Sequence, residues 1–148
     1  MKKYVYMSLM TALVSLFSLC LTGCGSDDGE KLPSKPTITL TEVGLDNSRH
    51  AHPGHDLHLE ANVIAEGLIK RIDIEIHQED GTGFEIEQSF TDVKYIGVRN
   101  IEFHEHIDIP ADAPLGEYHL HFTVTDQKGQ QTTAEGHLDI VEDDGEEE

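Results

Sequence analysis

The chain has 148 residues, and its 29 Asp and Glu against 10 Lys and Arg give a formal net charge of −19 at pH 7 with histidine counted as neutral. This charge would repel nucleic-acid phosphates, so it argues against a nucleic-acid partner and favours cations, although it would also serve simple solubility. The composition includes ten histidines and no tryptophan.

The N-terminus has the pattern of a secretion signal. Lys2 and Lys3 precede a mostly apolar stretch at residues 5–21, and a run of small residues follows. A transmembrane anchor is the weaker alternative, because about 17 apolar residues is at the short limit for crossing a bilayer. We expect residues 1–23 to be removed as a signal peptide, which takes away all three methionines and changes the net charge from −19 to −21.

The segment LTGC at residues 21–24 resembles the lipobox of bacterial lipoproteins. This resemblance implies that Cys24 becomes the first mature residue, with a diacylglycerol on its sulfur and an acyl group on its amino group. Several acyl chains hold a protein at a membrane where one chain is marginal, so the membrane becomes a partner through Cys24. The following GSDDGE at residues 25–30 resembles the acidic export tether of Bacteroidota surface lipoproteins. It implies an outer-membrane lipoprotein of the cell envelope that is exposed at the cell surface.

Composition divides the remainder of the chain into three parts. Residues 24–35 combine the lipidated cysteine with a polar stretch rich in Gly, Ser and Pro, which predicts a flexible tether. Residues 36–141 form one domain, long enough for a single hydrophobic core. Residues 142–148, EDDGEEE, are expected to be an acidic disordered tail.

Apolar and polar residues alternate with period two through most of the domain, which indicates half-buried strands. The predicted strands cover residues 36–43, 56–66, 69–78, 84–90, 100–109, 116–126 and 130–141. About seven short strands at regular spacing indicate an all-β fold, a single antiparallel immunoglobulin-like β-sandwich. Residues 109–140, IPADAPLGEYHLHFTVTDQKGQQTTAEGHLDI, resemble the last two strands of bacterial Ig-like domains. That resemblance implies an adhesive or spacer module without a catalytic site of its own.

Four histidines fall within nine residues in the segment HAHPGHDLH, residues 50–58. They are His50, His52, His55 and His58. The segment begins between the first two predicted strands and ends in the second, and Pro53-Gly54 forces a turn that can fold the four side chains toward one another. We interpret it as the mobile part of a metal site that strand histidines complete.

The other six histidines lie on predicted strands, on the face opposite the apolar residues. They are His77, His104, His106, His119, His121 and His137. Two pairs have the form His-x-His, which places both imidazoles on one face about 6.5–7 Å apart, near enough to converge on one ion. Immunoglobulin-type pairing would set the strands of His77, His119/His121 and His137 side by side in one sheet. The strands of His58 and His104/His106 would then be neighbours in the other sheet.

Imidazole and carboxylate ligands suit Zn²⁺, Cu²⁺ or Ni²⁺ rather than Cu⁺, which prefers sulfur. We therefore expect a divalent transition metal as cofactor, with zinc favoured and all ten histidines as candidate ligands. The protein would capture, buffer or deliver the ion, with an envelope metal transporter as a partner.

Two other classes of function compete with metal binding. An enzyme is disfavoured, because the chain has neither a Gly-x-Ser-x-Gly motif nor a catalytic cysteine. An Ig-like interaction or adhesion module remains the alternative, with a histidine surface that is idle or pH-sensitive, since imidazole titrates near pH 6.5. Glycan binding would depend on Tyr95, the one tyrosine expected at the surface, in a segment at residues 91–99 expected to be an exposed edge or loop.

Overall fold

Alternation of apolar and polar residues produces strands through most of the domain. The computed structural model describes residues 31–79, 81, 83–143 and 145, and the described residues from Leu32 onward belong to one compact unit. The strands of this part are β1 Thr37–Val43, β2 His50–Ala51, β3 Asp56–Ile64, β4 Ile69–Gln78, β5 Glu85–Phe90, β6 Asn100–Asp108, β7 Gly116–Asp126 and β8 Gln131–Ile140. The predicted signal peptide and Cys24 lie outside the described residues, as does most of the predicted acidic tail.

The strands form two sheets, one with the order β1-β3-β6 and the other with the order β2-β8-β7-β4-β5. Neighbouring strands are antiparallel, except that β2 runs parallel to β8. The predicted all-β, immunoglobulin-like sandwich is therefore confirmed. The predicted adjacency of the histidine-bearing strands is confirmed as well, because β4, β7 and β8 are neighbours in one sheet and β3 and β6 in the other.

The two inner faces meet in a core of aliphatic and aromatic side chains. Phe103 lies at its centre, with ring centroids 5.0 Å from Phe90, 5.3 Å from Tyr95 and 4.9 Å from Phe122. Edge-to-face and tilted aromatic pairs of this kind add to the free energy gained by burial. The sequence has no tryptophan, so phenylalanine and tyrosine rings supply the aromatic part of this core.

The position of Tyr95 corrects one prediction. Tyr95 was expected at the surface, but it is 1% exposed, and its hydroxyl donates a hydrogen bond to the Glu105 carboxylate. The connection between β5 and β6 turns back on itself, with the Tyr95 and Ile96 amides both donating to the Asp92 carbonyl. Because this turn points the ring inward against Phe103, Tyr95 is not a platform for glycans.

The segment at residues 50–51 was predicted as loop, yet it forms β2, with His50 opposite Asp139 and Ala51 opposite Ile140 of β8. Burial of Ala51, which is 2% exposed, fixes this short strand against the core. Two residues are too few to show period-two alternation, so the pattern could not reveal it.

Tyr118 begins the buried face of β7, and its hydroxyl donates a 2.7 Å hydrogen bond to the Pro114 carbonyl four residues earlier. This contact has the geometry of the tyrosine corner of immunoglobulin-like folds.

In the part of the chain that the structure describes, no helix is long and apolar enough to span a bilayer.

Candidate metal centres

The outer face of the three-stranded sheet carries the first histidine cluster. Leu57, Leu59 and Phe103 face the core, so the alternate residues on β3 and β6 point outward. The strand register places His58 directly opposite His106 and Glu60 opposite His104. Side chains directly opposite each other on antiparallel strands are in contact range, so register alone gathers three imidazoles and a carboxylate.

The nitrogen atoms of His58, His104 and His106 that could bind a metal lie within 4.8 Å of one another. The His58 ring centroid is 4.7 Å from that of His104 and 5.1 Å from that of His106. Glu60 Oε1 lies 2.8 Å from His104 Nδ1 and 3.3 Å from His58 Nε2. Glu42 Oε1 is 3.7 Å from the same His58 nitrogen, which makes Glu42, His58 and Glu60 a second, overlapping ligand group.

The outer face of the five-stranded sheet carries the second cluster. His77 of β4, His119 of β7 and His137 of β8 are in register and form a row across three strands. The His77 and His119 rings stack at 5.3 Å with an interplanar angle of 5°, and the centroids of His119 and His137 are 4.7 Å apart. His121 continues the arrangement along β7, with its ring centroid 5.1 Å from that of His77.

Two three-ligand groups form on this face. One consists of Glu75, His77 and His121, and the other consists of Glu79, His119 and His137, with all ligand atoms of a group within 4.8 Å. The Nε2 atoms of His77 and His121 are 3.0 Å apart, a distance at which one ring donates a hydrogen bond to the other. Ligand atoms around a tetrahedral zinc with bonds of about 2.0–2.1 Å are separated by about 3.3 Å, so this pair has nearly the spacing of metal ligands.

The segment HAHPGHDLH lies beside the first cluster. A groove of about 600 Å³ is lined by residues that include His50, His52, His55, His58 and His106. The turn predicted at Pro53-Gly54 is present, with Gly54 at φ 81° and the His55 amide donating to the His52 carbonyl at 3.1 Å. Glycine suits this position because other residues rarely adopt positive φ.

The groove does not draw the loop histidines into a ligand set. His52 Nδ1 lies 3.1 Å from the Val141 carbonyl, and His55 Nε2 lies 3.2 Å from the Asp143 carboxylate. His50, His52 and His55 belong to none of the three-ligand groups that the described residues form. The loop histidines were expected to form a metal site together with strand histidines. They share a groove with His58 and His106, but their ligand atoms do not converge with those of the strand histidines.

The carboxylates of the ligand groups were not among the predicted site residues. They are Glu42, Glu60, Glu75 and Glu79. Glu60 lies two residues from His58, and Glu75 and Glu79 each lie two residues from His77. This spacing is visible in the sequence. Glu42 differs, because it reaches His58 from β1 and is placed by pairing with Glu60.

A family model described as a domain of unknown function, DUF4625, matches residues 22–141. No curated protein matches the chain. Among solved structures, catalytically inactive OgpA from Akkermansia muciniphila, in complex with an O-glycopeptide substrate, is similar with a TM-score of 0.52 and 13% identity over 73% of this chain. Wild-type OgpA gives the same values, and a family 123 glycoside hydrolase from Clostridium perfringens has a TM-score of 0.41 and 10% identity over 74% of this chain. The chain spans 30% of the length of OgpA and 28% of the hydrolase, so the likeness to OgpA concerns the fold alone.

Proposed function

The chain belongs to the DUF4625 family of domains of unknown function, and we propose that it binds divalent transition-metal ions on the two outer faces of its sandwich. The observation that carries this proposal is the convergence of ligand atoms into histidine-containing groups, of which four form among the described residues. Two groups that share His58 lie on the three-stranded sheet and two lie on the five-stranded sheet, each with ligand atoms within 4.8 Å. Small side-chain rotations would bring these atoms to the spacing of about 3.3 Å around a tetrahedral ion.

The ligand chemistry favours zinc, with Cu²⁺ and Ni²⁺ as the other divalent ions that imidazole and carboxylate hold well. Three of the groups offer two or three imidazoles, and the group of Glu42, His58 and Glu60 offers one. The Glu60 carboxylate lies against both His58 and His104. A carboxylate that accepts a hydrogen bond from a ligating imidazole fixes its orientation and raises its basicity. The net charge of −21 that remains without residues 1–23 raises the local concentration of cations at both faces.

The proposed setting is the cell envelope. Acylation of Cys24 would hold the protein at the outer membrane, exposed at the cell surface, where it would capture or buffer zinc and deliver it to an envelope transporter. We propose ion binding as the function of these groups, which lie on the outer faces of the two sheets. The support for this setting is the LTGC segment and the acidic stretch that follows it.

Calorimetric titration with Zn²⁺, Cu²⁺ and Ni²⁺ tests the proposal, using the untagged chain from residue 25 onward at about pH 7.4 and about pH 5.5. We expect submicromolar binding of zinc with fixed stoichiometry at the higher pH. Binding should collapse at the lower pH, because a protonated imidazole cannot ligate a metal. Weak binding without fixed stoichiometry at both pH values would contradict the proposal.

Two double variants assign the binding to the two faces. His58→Asn with His106→Asn should remove the site of the three-stranded sheet and leave the other face unchanged. His77→Asn with His119→Asn should have the converse effect, so each variant is the control for the other. Glu102→Gln changes an exposed carboxylate of β6 outside the ligand groups, and we expect it to bind zinc like the parent.

A pH-sensitive interaction surface is the second candidate function. It is favoured by the contacts of His104 with Glu60, His106 with Asp56 and His55 with Asp143, in each of which an imidazole nitrogen lies against a carboxylate. This function predicts that metal binding stays weak at both pH values in the titration.

A further inference from the structure

The two faces differ in how their ligand groups are related. On the three-stranded sheet both groups contain His58, so they compete for one ligand and hold one ion. On the five-stranded sheet the groups have no residue in common, since one uses Glu75, His77 and His121 and the other uses Glu79, His119 and His137. Filling one group on this face leaves the ligands of the other group available.

The two groups of the five-stranded face are also in direct contact. The rings of His77 and His119, one from each group, stack at 5.3 Å, and His119 and His121 have ring centroids 6.4 Å apart on the same strand. His137, His119, His77 and His121 therefore form a continuous series of neighbouring imidazoles. Ions held by such ligands would be separated by about 5–7 Å, the spacing of neighbouring strands and of alternate residues along a strand.

We propose that the outer face of the five-stranded sheet is a two-ion site, which rests on the proposed function and specifies it. The first ion is held by Glu75, His77 and His121, and the second by Glu79, His119 and His137. The three-stranded face holds a single ion, so the part of the chain that the structure describes binds three ions.

Charge determines how the two ions interact. Two divalent ions at this separation repel each other, and the carboxylates of Glu75 and Glu79 neutralise half of their charge. Glu135 adds a third carboxylate, with its Oε1 4.0 Å from His121 Nδ1. Strand register places further carboxylates on this face, with Glu85 opposite His77 and Glu87 opposite Glu75. These carboxylates offset most of the repulsion between the ions, so the second ion should bind at most about tenfold more weakly than the first.

Copper provides a direct measure of the distance between the two ions. Cu²⁺ is added to the chain from residue 25 onward carrying His58→Asn and His106→Asn, and electron paramagnetic resonance spectra are recorded after each equivalent. We expect the spectrum of an isolated ion at the first equivalent. At the second equivalent, dipolar broadening and a half-field transition should appear, because two Cu²⁺ ions are then close neighbours.

Variants on the same background separate the two groups. His137→Asn with Glu79→Gln should lower the stoichiometry from two ions to one and abolish the half-field transition, and Glu79→Gln alone should weaken the second ion. Glu102→Gln on the other sheet should leave both unchanged. The circular dichroism spectrum and melting temperature of each variant verify its fold.

The outcomes distinguish this inference from the function on which it rests. Two bound Cu²⁺ ions without dipolar broadening, or a single ion on this face of the parent background, would overturn the two-ion site and leave metal binding intact. Absence of bound Cu²⁺, Zn²⁺ and Ni²⁺ from the unsubstituted chain would overturn both.

Discussion

Tyr95 links the aromatic core to a charged pair at the surface. Its ring packs against Phe90 and Phe103, its hydroxyl donates to the Glu105 carboxylate, and Lys94 Nζ lies 2.9 Å from the same carboxylate. Burial raises the pKa of Tyr95, and its bond to Glu105 raises it further. Burial also raises the pKa of Glu105, but the hydrogen bonds from Tyr95 and Lys94 outweigh it and the net pKa is lowered. The folded state therefore favours a neutral tyrosine beside an ionised glutamate.

The variant Tyr95→Phe tests how much this hydroxyl contributes to the free energy of unfolding. The ring remains in place while Glu105 loses a donor, so we expect the free energy of unfolding to fall by about 1 kcal/mol at neutral pH, measured by urea denaturation. The folded-state pKa of Tyr95 is raised above its unfolded value of about 10. The hydroxyl therefore contributes fully to the free energy of unfolding below about pH 10, and this contribution declines as pH rises from there toward the folded-state pKa. The difference between parent and variant should therefore shrink above about pH 10. An equal free energy of unfolding for parent and variant at neutral pH would show that the hydroxyl contributes nothing.

At the scale of the elements, Asp126 organises the hairpin between β7 and β8. It is fully buried, and its Oδ1 accepts hydrogen bonds from the Lys128 and Gln130 amides at 2.9 and 2.8 Å. Its Oδ2 accepts from Gln130 Nε2 at 3.1 Å. These bonds replace the sheet ladder where the chain reverses, so this carboxylate holds together the hairpin that carries His119, His121 and His137.

Asp126→Ala should lower the free energy of unfolding by about 2–4 kcal/mol, because two backbone amides lose their acceptor in a buried turn. Asp126→Asn is the matched control, since its amide oxygen can still accept from both backbone donors and only the bonds of a second oxygen are lost. We expect Asn to cost less than half as much as Ala in urea denaturation. Equal losses for the two variants would mean that charge, rather than hydrogen bonding to the turn, is what stabilises the hairpin.

The strands and their faces could be predicted from the sequence because each is long enough to show alternation, as in β7, where Tyr118, Leu120 and Phe122 alternate with histidines. The pairing of histidine strands followed from immunoglobulin topology. The place of Glu42 in a ligand group did not follow, because it depends on strand register, and an irregularity between Leu40 and Glu42 shifts the pairing. The prediction for Tyr95 was wrong because the residues of its turn do not alternate between apolar and polar. Their pattern therefore does not show which side chains point inward.

For the whole molecule, the dominant electrostatic feature is excess negative charge. The chain carries 29 acidic and 10 basic residues, so its carboxylates outnumber the cations that can pair with them. One such ion pair joins Arg71 Nε to Asp73 Oδ2 at 2.7 Å. Like charges on one compact body repel one another and destabilise the folded state. Dissolved salt screens this repulsion beyond a Debye length of about 10 Å at 0.1 M.

Raising the sodium chloride concentration from about 0.01 M to about 0.3 M should therefore raise the melting temperature in the absence of metal. We expect an increase of about 4–8 °C, the shift that accompanies roughly 1 kcal/mol in a domain of this size. Choline chloride should act equally, because screening depends on ionic strength rather than on the cation. A melting temperature that is constant or falls with salt would show that favourable ion pairs balance the repulsion.

The sandwich presents imidazoles on both of its outer sides, since the outer faces of two stacked sheets point in opposite directions. A flat support, whether a lipid bilayer, a chromatography bead or a sensor chip, can lie against one of these sides at a time. A molecule that settles on such a support therefore leaves the other set of histidines facing the liquid, whichever way up it lands.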